Sequence, residues 1–209
     1  MVKCVCFDLG GVVVRVNLHW KELLQSLNMN YVLPEHLHEH HHEWETFKQF
    51  ESGKCSEQEY LDALGCCFSI SKEESLKVHH AILGEEYPLM KESILKIQQV
   101  GLATGCLSNT NALHWKTLDD TKTYPAVHLL ETKVLSFDCG FVKPGLEIFW
   151  VFEEQAGFSG DEILYFDDRD ANVKAAKEIG WRGCIIDPAE DVATQVQMVL
   201  VKENVGGFP

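Results

Sequence analysis

The feature that most constrains this chain is a series of four short apolar runs separated by stretches with helical periodicity. The runs occupy residues 2–7, 103–107, 163–166 and 184–186. Between them, apolar residues recur every three or four positions. These helical stretches include residues 88–100, 144–156 and 171–179. Buried strands that alternate with helices form a parallel sheet covered on both faces. The sequence therefore predicts an α/β fold with a doubly wound, Rossmann-like parallel sheet.

One long segment interrupts this alternation. Residues 16–86 are polar and helix-rich, so we expect a helical cap inserted after the first strand of a core formed by residues 1–15 and 87–209. Most of the histidines lie in this segment: His36, His38, His40, His41, His42, His79 and His80. Imidazole binds zinc, but no cysteine pair or acidic partner completes a structural zinc spacing. We therefore favour a solvated cap helix over a zinc site.

The charge balance limits the partners of the chain. It has 18 Lys and Arg against 32 Asp and Glu, a net charge of −14 that stays negative even with all 10 histidines protonated. Nucleic acids and anionic membranes bind basic surfaces, so neither is expected as the main partner. A phosphorylated ligand would therefore need a local positive site or a metal ion.

The cysteines and the apolar runs indicate where the protein works. The eight cysteines do not form a convincing disulfide framework, because several of them lie in short apolar runs where cysteine acts as a small buried hydrophobe. Asp8 interrupts the only apolar N-terminal stretch. No run approaches the ~18 apolar residues of a membrane span. We expect a reduced, cytoplasmic protein; the sequence does not indicate its oligomeric state.

Polar residues follow the predicted strands at the points where the strands end. Asp8 follows the first strand, Ser108 and Asn109 follow the second, and Asp167 and Asp168 follow the third. Ligands of open parallel sheets bind beyond the carboxyl ends of the strands. We therefore expect these side chains to meet at one edge of the sheet.

The residue types at this edge indicate a reaction. Asp8 and the pair Asp167–Asp168 would repel one another without a cation, and oxygen ligands favour Mg²⁺. Ser108, with N–H groups at a helix N-terminus, suits an anion, and Lys143 adds a positive charge for phosphate. An aspartate beside a metal can attack phosphorus as a nucleophile. The pattern therefore indicates phosphoryl transfer.

Four short motifs resemble those of the haloacid dehalogenase (HAD) superfamily in order and spacing. They are F-D-L-G-G-V at 7–12, L-S-N-T-N at 107–111, V-K-P at 142–144 and F-D-D-R-D-A-N at 166–172. Together they frame most of the chain, and the helical segment after the first motif resembles the small cap of the superfamily's first subclass. Within that subclass the second motif and the Asp167–Asp168 pair are most similar to bacterial sugar-phosphate phosphatases, including the glucose-1-phosphate type.

The resemblance implies an activity and the residues that carry it out. The activity is that of a Mg²⁺-dependent phosphatase acting on a small phosphorylated metabolite, with a sugar phosphate as one candidate, through an aspartyl-phosphate. Asp8 is implied as the nucleophile. Ser108 and Asn109 are implied to bind the phosphoryl group, and Lys143 to neutralise it and tether Asp8.

The same resemblance implies the ligands of the metal. They are Asp8, the backbone carbonyl of Gly10, and Asp168, with Asp167 and Asn172 supporting the site. The cofactor implied is Mg²⁺.

Gly10 is a departure from the superfamily pattern. Most phosphatases of the superfamily have a second aspartate at this position, which serves as general acid and base. A positioned acid contributes roughly 10²–10⁴-fold to the rate. We therefore expect a preference for substrates whose leaving oxygen departs easily, such as anomeric and aryl phosphates, unless another group supplies the proton. His114 is the first candidate for that group.

Two alternative functions remain open at this point. A 2-haloacid dehalogenase uses the same aspartate to attack carbon, but it needs no metal, so the intact Asp167–Asp168 pair argues against it. A non-catalytic phosphate-binding module would keep the phosphate site and lack turnover because the general acid is missing.

Overall fold

A five-stranded parallel sheet lies at the centre of the molecule. The computed structural model describes residues 1–29, 34, 37 and 39–206. In this part of the chain the strands are β1 (Cys4–Phe7), β2 (Val14–Val16), β3 (Leu83–Glu86), β4 (Ala103–Ser108), β5 (Thr132–Leu135), β6 (Ile163–Asp167) and β7 (Arg182–Ile185). The sheet has the order β5–β4–β1–β6–β7, with all neighbours parallel. The predicted doubly wound α/β fold is confirmed.

Helices cover both faces of the sheet and form the segment inserted after β2. They are α1 (Trp20–Ser26), α2 (Glu45–Glu51), α3 (Glu57–Phe68), α4 (Lys72–His80), α5 (Met90–Gln99), α6 (Ala112–Leu118), α7 (Pro125–Leu129), α8 (Ser136–Cys139), α9 (Leu146–Ala156), α10 (Asp170–Glu178) and α11 (Val192–Lys202). Short 3₁₀ turns lie at His41–Glu43 and Gly160–Glu162. No helix in the described ranges is both long and apolar enough to cross a membrane.

The alternation of side chains along β1 divides the core into two layers. Val5 and Phe7 pack in one layer with apolar residues of α5 and α11, whereas Cys4 and Cys6 pack in the other with residues of α9 and α10. Successive residues of a strand point to opposite faces, so a four-residue apolar strand serves both layers. All eight cysteines are free thiols.

The helices α1–α4 have a hydrophobic cluster of their own, and we refer to these four helices as the cap. The largest fully buried side chains of this cluster are Trp20, Leu23, Leu24, Phe47, Tyr60, Leu61 and Leu64. Capping boxes at Ser56–Glu59 and Ser71–Glu74 begin α3 and α4. The antiparallel pair β2–β3 joins the two ends of the inserted segment. The exact boundaries of the two parts, at 15/16 and 86/87, stay a prediction.

The central position of β1 determines where a ligand can bind. β1 pairs with β4 on one side and β6 on the other, and Phe7 lies opposite both Cys106 and Phe166. The chain changes direction across the sheet at this point, which opens a crevice beyond the carboxyl ends of the three strands.

Candidate active site

Three carboxylates meet at this crevice. Asp8 follows β1, Asp167 ends β6, and Asp168 comes next in the chain. The three residues place ligand oxygens within 4.8 Å of one another. The structure thus brings together the acidic residues singled out from the sequence.

Lys143 lies between two of these carboxylates. Its Nζ is 3.0 Å from Asp8 Oδ1 and 2.8 Å from Asp167 Oδ2, and it donates a 3.0 Å hydrogen bond to the Tyr165 hydroxyl. Burial disfavours the charged ammonium, but Asp167 and Asp8 outweigh it and raise the pKa of Lys143. Lys143 is therefore a fixed positive charge inside the site.

Asp167 is fully engaged in holding the site together. It accepts hydrogen bonds from Arg169 N at 2.7 Å, from Asn172 Nδ2 at 3.1 and 3.0 Å, and from the Tyr165 hydroxyl. Burial alone would raise the pKa of Asp167, but Lys143 and these hydrogen bonds hold it below its usual value. Asp167 thus anchors Lys143, and Asn172 acts through Asp167.

Asp8 and Asp168 are the carboxylates that face the open part of the crevice. Burial raises the pKa of Asp8 to about 7, although Lys143 opposes this shift. Burial and the neighbouring Asp167 also raise the pKa of Asp168. Lys143 and, beside Asp168, Arg169 thus offset part of the charge of three clustered carboxylates. A hard divalent cation with oxygen ligands fits the remaining negative charge.

The loop after β1 presses against Asp168. Gly11 has a φ of +77°, and a Cβ at this residue would lie 2.6 Å from Asp168 Oδ2. Gly10, by contrast, lies outside the left-handed region, and a Cβ there would meet Val16 Cγ1 at 3.3 Å. Gly11 is therefore the glycine whose backbone the fold requires, and Gly10 is the position where a side chain needs only a small adjustment.

We expect Gly11→Ala to destabilise the protein and weaken its response to Mg²⁺. The positive φ costs roughly 1–3 kcal/mol for a residue with a Cβ, and the methyl group would also displace Asp168. Gly101→Ala is the matched control, because Gly101 has a φ of +84° with nothing within 4 Å of the added Cβ. Denaturant unfolding and activity at increasing Mg²⁺ concentration measure both effects. Identical results for the two variants would contradict the contact with Asp168.

Ser108 and Asn109 reach the site from the end of β4. Ser108 is buried and lines the crevice. The Asn109 side chain is bound to the Lys143 backbone, donating from Nδ2 to the carbonyl at 3.0 Å and accepting from the N–H at 2.8 Å. Any phosphate contact from Asn109 would therefore come from its backbone N–H. Asn111, not Ser108, is the N-cap of α6.

His114 is buried, and both of its ring nitrogens have partners. Nε2 lies 3.3 Å from the carbonyl of His79, and Nδ1 lies 3.1 Å from Asn111 Nδ2. A neutral ring satisfies both contacts by donating to the carbonyl and accepting from the amide. Burial lowers the pKa of His114 to about 4. His114, the first candidate from the sequence for an alternative proton donor, is therefore poorly suited to that role.

The histidines of the inserted segment differ from the expected solvated helix. His41 and His79 are buried, and His79 contacts the Tyr60 hydroxyl at 2.9 Å and Asn111 Oδ1 at 3.1 Å. The solvated interpretation is wrong for these two residues, because His79 packs against Asn111 and His114 of the core, and His41 packs inside the inserted segment with Nε2 3.0 Å from the carbonyl of Asn17. Only His80 of the cluster is exposed, and His36 and His38 lie outside the described residues.

A cavity of about 920 Å³ separates the strand ends from the cap. Its wall includes Asp8, Ser108 and Lys143 from the core, and Phe47 and Glu51 from α2. Glu51 could not be identified from the sequence, because nothing in its neighbourhood resembles a motif. The arrangement can hold a small anion against the Asp8 carboxylate, between the strand ends and the cap.

No protein-family model matches the chain. It is 25% identical over 187 residues to a D-ribitol-5-phosphate phosphatase of Bacteroides thetaiotaomicron, covering 87% of this chain and 90% of that protein. A HAD-like family hydrolase of Porphyromonas gingivalis has a similar structure, with a TM-score of 0.75, 22% identity and coverage of 96% and 98%. A HAD family enzyme of B. thetaiotaomicron, in complex with magnesium and inorganic phosphate, has a TM-score of 0.71, 24% identity and coverage of 91% and 97%.

The likeness to dehalogenases is more distant. The L-2-haloacid dehalogenase of Xanthobacter autotrophicus, with chloropropionic acid covalently bound, has a TM-score of 0.63 and is 15% identical, covering 100% of this chain and 85% of that one. This likeness concerns the fold, which dehalogenases and phosphatases share. The phosphatase therefore gains more support than the dehalogenase alternative.

Proposed function

We propose that this HAD superfamily hydrolase is a Mg²⁺-dependent phosphatase that acts on a small phosphorylated metabolite through an aspartyl-phosphate. The observation that carries the proposal is the buried Lys143 ammonium bound to Asp8 and Asp167, beside a third carboxylate that it does not neutralise. A nucleophile, a fixed cation and a remaining metal-binding charge are what phosphoryl transfer requires.

Each residue of the site has its own role in the proposed reaction. A carboxylate oxygen of Asp8 attacks phosphorus while the bond to the leaving oxygen breaks, and water then hydrolyses the aspartyl-phosphate. Asp8 Oδ1 accepts a 2.6 Å hydrogen bond from the N–H of Leu9, which helps to orient the carboxylate. Lys143 offsets the negative charge of the transferring oxygens.

Mg²⁺ would be held by Asp8, Asp168 and the backbone carbonyl of Gly10, with Asp167 and Asn172 supporting these ligands. When bound, the ion would supply positive charge to the phosphoryl oxygens. The fit rests on the all-oxygen donor set and on the excess of carboxylates over the single lysine.

The substrate is proposed to be a phosphorylated sugar or sugar alcohol. A relative with this kind of specificity is the ribitol-5-phosphate phosphatase, and the cavity of about 920 Å³ is large enough for a molecule of that size. A panel of sugar, sugar-alcohol and nucleoside monophosphates assayed with Mg²⁺ tests the proposal. Phosphate release from none of them, and from p-nitrophenyl phosphate as well, would contradict it and favour a non-catalytic phosphate-binding module.

Removal of Mg²⁺ is expected to abolish phosphate release, because the three clustered carboxylates outnumber the two cations beside them, Lys143 and Arg169, and would then face an anionic substrate. Added Mg²⁺ should restore the rate, whereas Ca²⁺ should restore little, since it prefers more ligands at longer distances. The measurement is p-nitrophenyl phosphate hydrolysis after treatment with a chelator. Equal rates with Mg²⁺ and Ca²⁺, or full activity in the chelator, would refute the metal assignment.

We also propose that the protein is cytoplasmic. All eight cysteines are free thiols, three of them buried in the sheet, as expected in a reducing compartment.

A further inference from the structure

We propose that Glu51, at the end of α2 in the cap, is the general acid and base of the reaction and replaces the carboxylate missing at position 10. This inference rests on the proposed phosphatase function. It follows from where Glu51 lies, how its backbone is held and what surrounds its carboxyl group.

Glu51 lies in the wall of the cavity that also contains Asp8 and Lys143. Its backbone carbonyl accepts a 2.6 Å hydrogen bond from Ser136 Oγ. The same Ser136 oxygen accepts a 2.9 Å hydrogen bond from the N–H of Thr110, two residues after Ser108. One hydroxyl therefore links Glu51 to the loop proposed to bind phosphate.

The turn after α2 makes a second attachment to the core. Gly53 has a φ of +68°, and a Cβ at this residue would lie 2.4 Å from the backbone carbonyl oxygen of Phe137. Only glycine allows so close an approach. One hydrogen bond and one close backbone approach, within three residues of the chain, thus place the end of α2 above the strand ends.

The carboxyl group of Glu51 has the environment of a proton donor. Within the described residues, no hydrogen bond or ion pair reaches its oxygens, and the side chain is half-buried. Burial raises the pKa of Glu51 to about 7, although Arg169 and Lys143 oppose this shift. A carboxyl that is partly protonated near neutral pH can give and take a proton during one turnover.

Arg169 and Lys143 from the core and Tyr60 from α3 interact electrostatically with Glu51. The other elements packed against α2 carry His41 and His42, in the preceding turn, and Asp138, in α8. Burial lowers the pKa of His41 to about 3 and that of His42 to about 4, and it raises the pKa of Tyr60 far above neutrality. None of these three changes charge near neutral pH, so Glu51 is the group of this set that is suited to exchange a proton there.

The proton and the electrons balance over the two steps. As Asp8 attacks phosphorus, the bond to the leaving oxygen breaks and that oxygen takes the proton of Glu51, giving the alcohol and a Glu51 carboxylate. In the second step Glu51 accepts a proton from the water that attacks the aspartyl-phosphate. The bond between phosphorus and Asp8 breaks, and both side chains return to their starting states.

Glu51→Gln tests the proposal, because it keeps the shape and removes the proton exchange. We expect kcat/KM for glycerol phosphate, whose alkoxide leaves poorly, to fall by roughly 10²–10⁴-fold. For p-nitrophenyl phosphate, whose leaving group needs no proton, kcat/KM should fall by less than about tenfold, while kcat should fall further because the second step loses its base. Glu51→Asp should recover part of the loss with glycerol phosphate. Glu22→Gln, the same change at an exposed site of the cap, should leave kcat and kcat/KM unchanged for both substrates.

Two further measurements separate a catalytic role from a structural one. The Tm of Glu51→Gln should equal or exceed that of the wild type, since a half-buried carboxyl without a partner is replaced by a neutral group. The basic limb of the wild-type pH profile for glycerol phosphate should fall near pH 7 and disappear in the variant. Equal losses for both substrates, or unchanged kinetics, would overturn the role of Glu51 while leaving the phosphatase intact. A wild type inactive on both substrates in Mg²⁺ would overturn the proposed function and this role together.

Discussion

Asp8→Asn is expected to reduce phosphate release by at least ~10³-fold, because loss of the proposed covalent nucleophile removes the reaction path itself. Asn keeps the shape of the side chain, and Lys143 retains its 2.8 Å contact with Asp167, so the variant should fold. The measurement is kcat with p-nitrophenyl phosphate at saturating Mg²⁺, together with thermal unfolding of the same sample.

The control for this experiment is labelling. Wild-type protein stopped in acid during turnover of a ³²P-labelled substrate should retain covalent phosphate, and Asp8→Asn should retain none. Substantial turnover by a well-folded Asp8→Asn would show that water attacks the substrate directly.

Lys143→Ala is expected to lower both the stability and the activity of the protein. The Lys143 side chain is 1% exposed and its Nζ lies within 3.0 Å of two carboxylates, so its removal leaves buried negative charge without a partner. The breaking of a buried ion pair by removal of one partner costs roughly 3–5 kcal/mol. Denaturant unfolding measures the loss of stability, and kcat/KM the loss of transition-state binding.

Lys174→Ala provides the comparison for Lys143. Lys174 pairs with Asp170 on the surface of α10, where both side chains are about 70% exposed. An exposed pair of this kind contributes roughly 0–1 kcal/mol. If the two variants lost similar amounts of stability, Lys143 would not carry the buried charge balance inferred from its contacts.

The central sheet could be predicted from the sequence, because short apolar runs mark its strands locally. The runs at β1, β4 and β6 are apolar, short and followed by polar residues, and each lies within a few residues of its expected position. β5 was missed, since its four residues include Lys133 and it lies at the edge of the sheet. The pair β2–β3 was missed because its residues pair only after the inserted segment returns to the core.

The acidic cluster could also be predicted from the sequence, whereas the hydrogen-bond partners of each of its residues could not. Adjacent carboxylates after a strand are visible in the sequence. Only the packing shows that both oxygens of Asp167 accept hydrogen bonds and that the Asn109 side chain is hydrogen-bonded to the Lys143 backbone. The burial of His79 depends on the docking of the cap against α6, which no local sequence pattern records. Glu51 was missed for the same reason, since it reaches the cavity from a different helix cluster.

The two sides of the cavity should differ in how readily they open, because Asp8 follows the central strand whereas Glu51 lies at the end of a cap helix. β1 is hydrogen-bonded to a parallel strand on each side, so the amides of Cys4–Phe7 should exchange with solvent only when the whole protein unfolds. The end of α2 has two backbone attachments to the core and should open in smaller fluctuations. A substrate too bulky for the cavity would then reach Asp8 only while the cap, and Glu51 with it, is held away from the strand ends. Such a substrate should therefore be cleaved more slowly as well as bound more weakly.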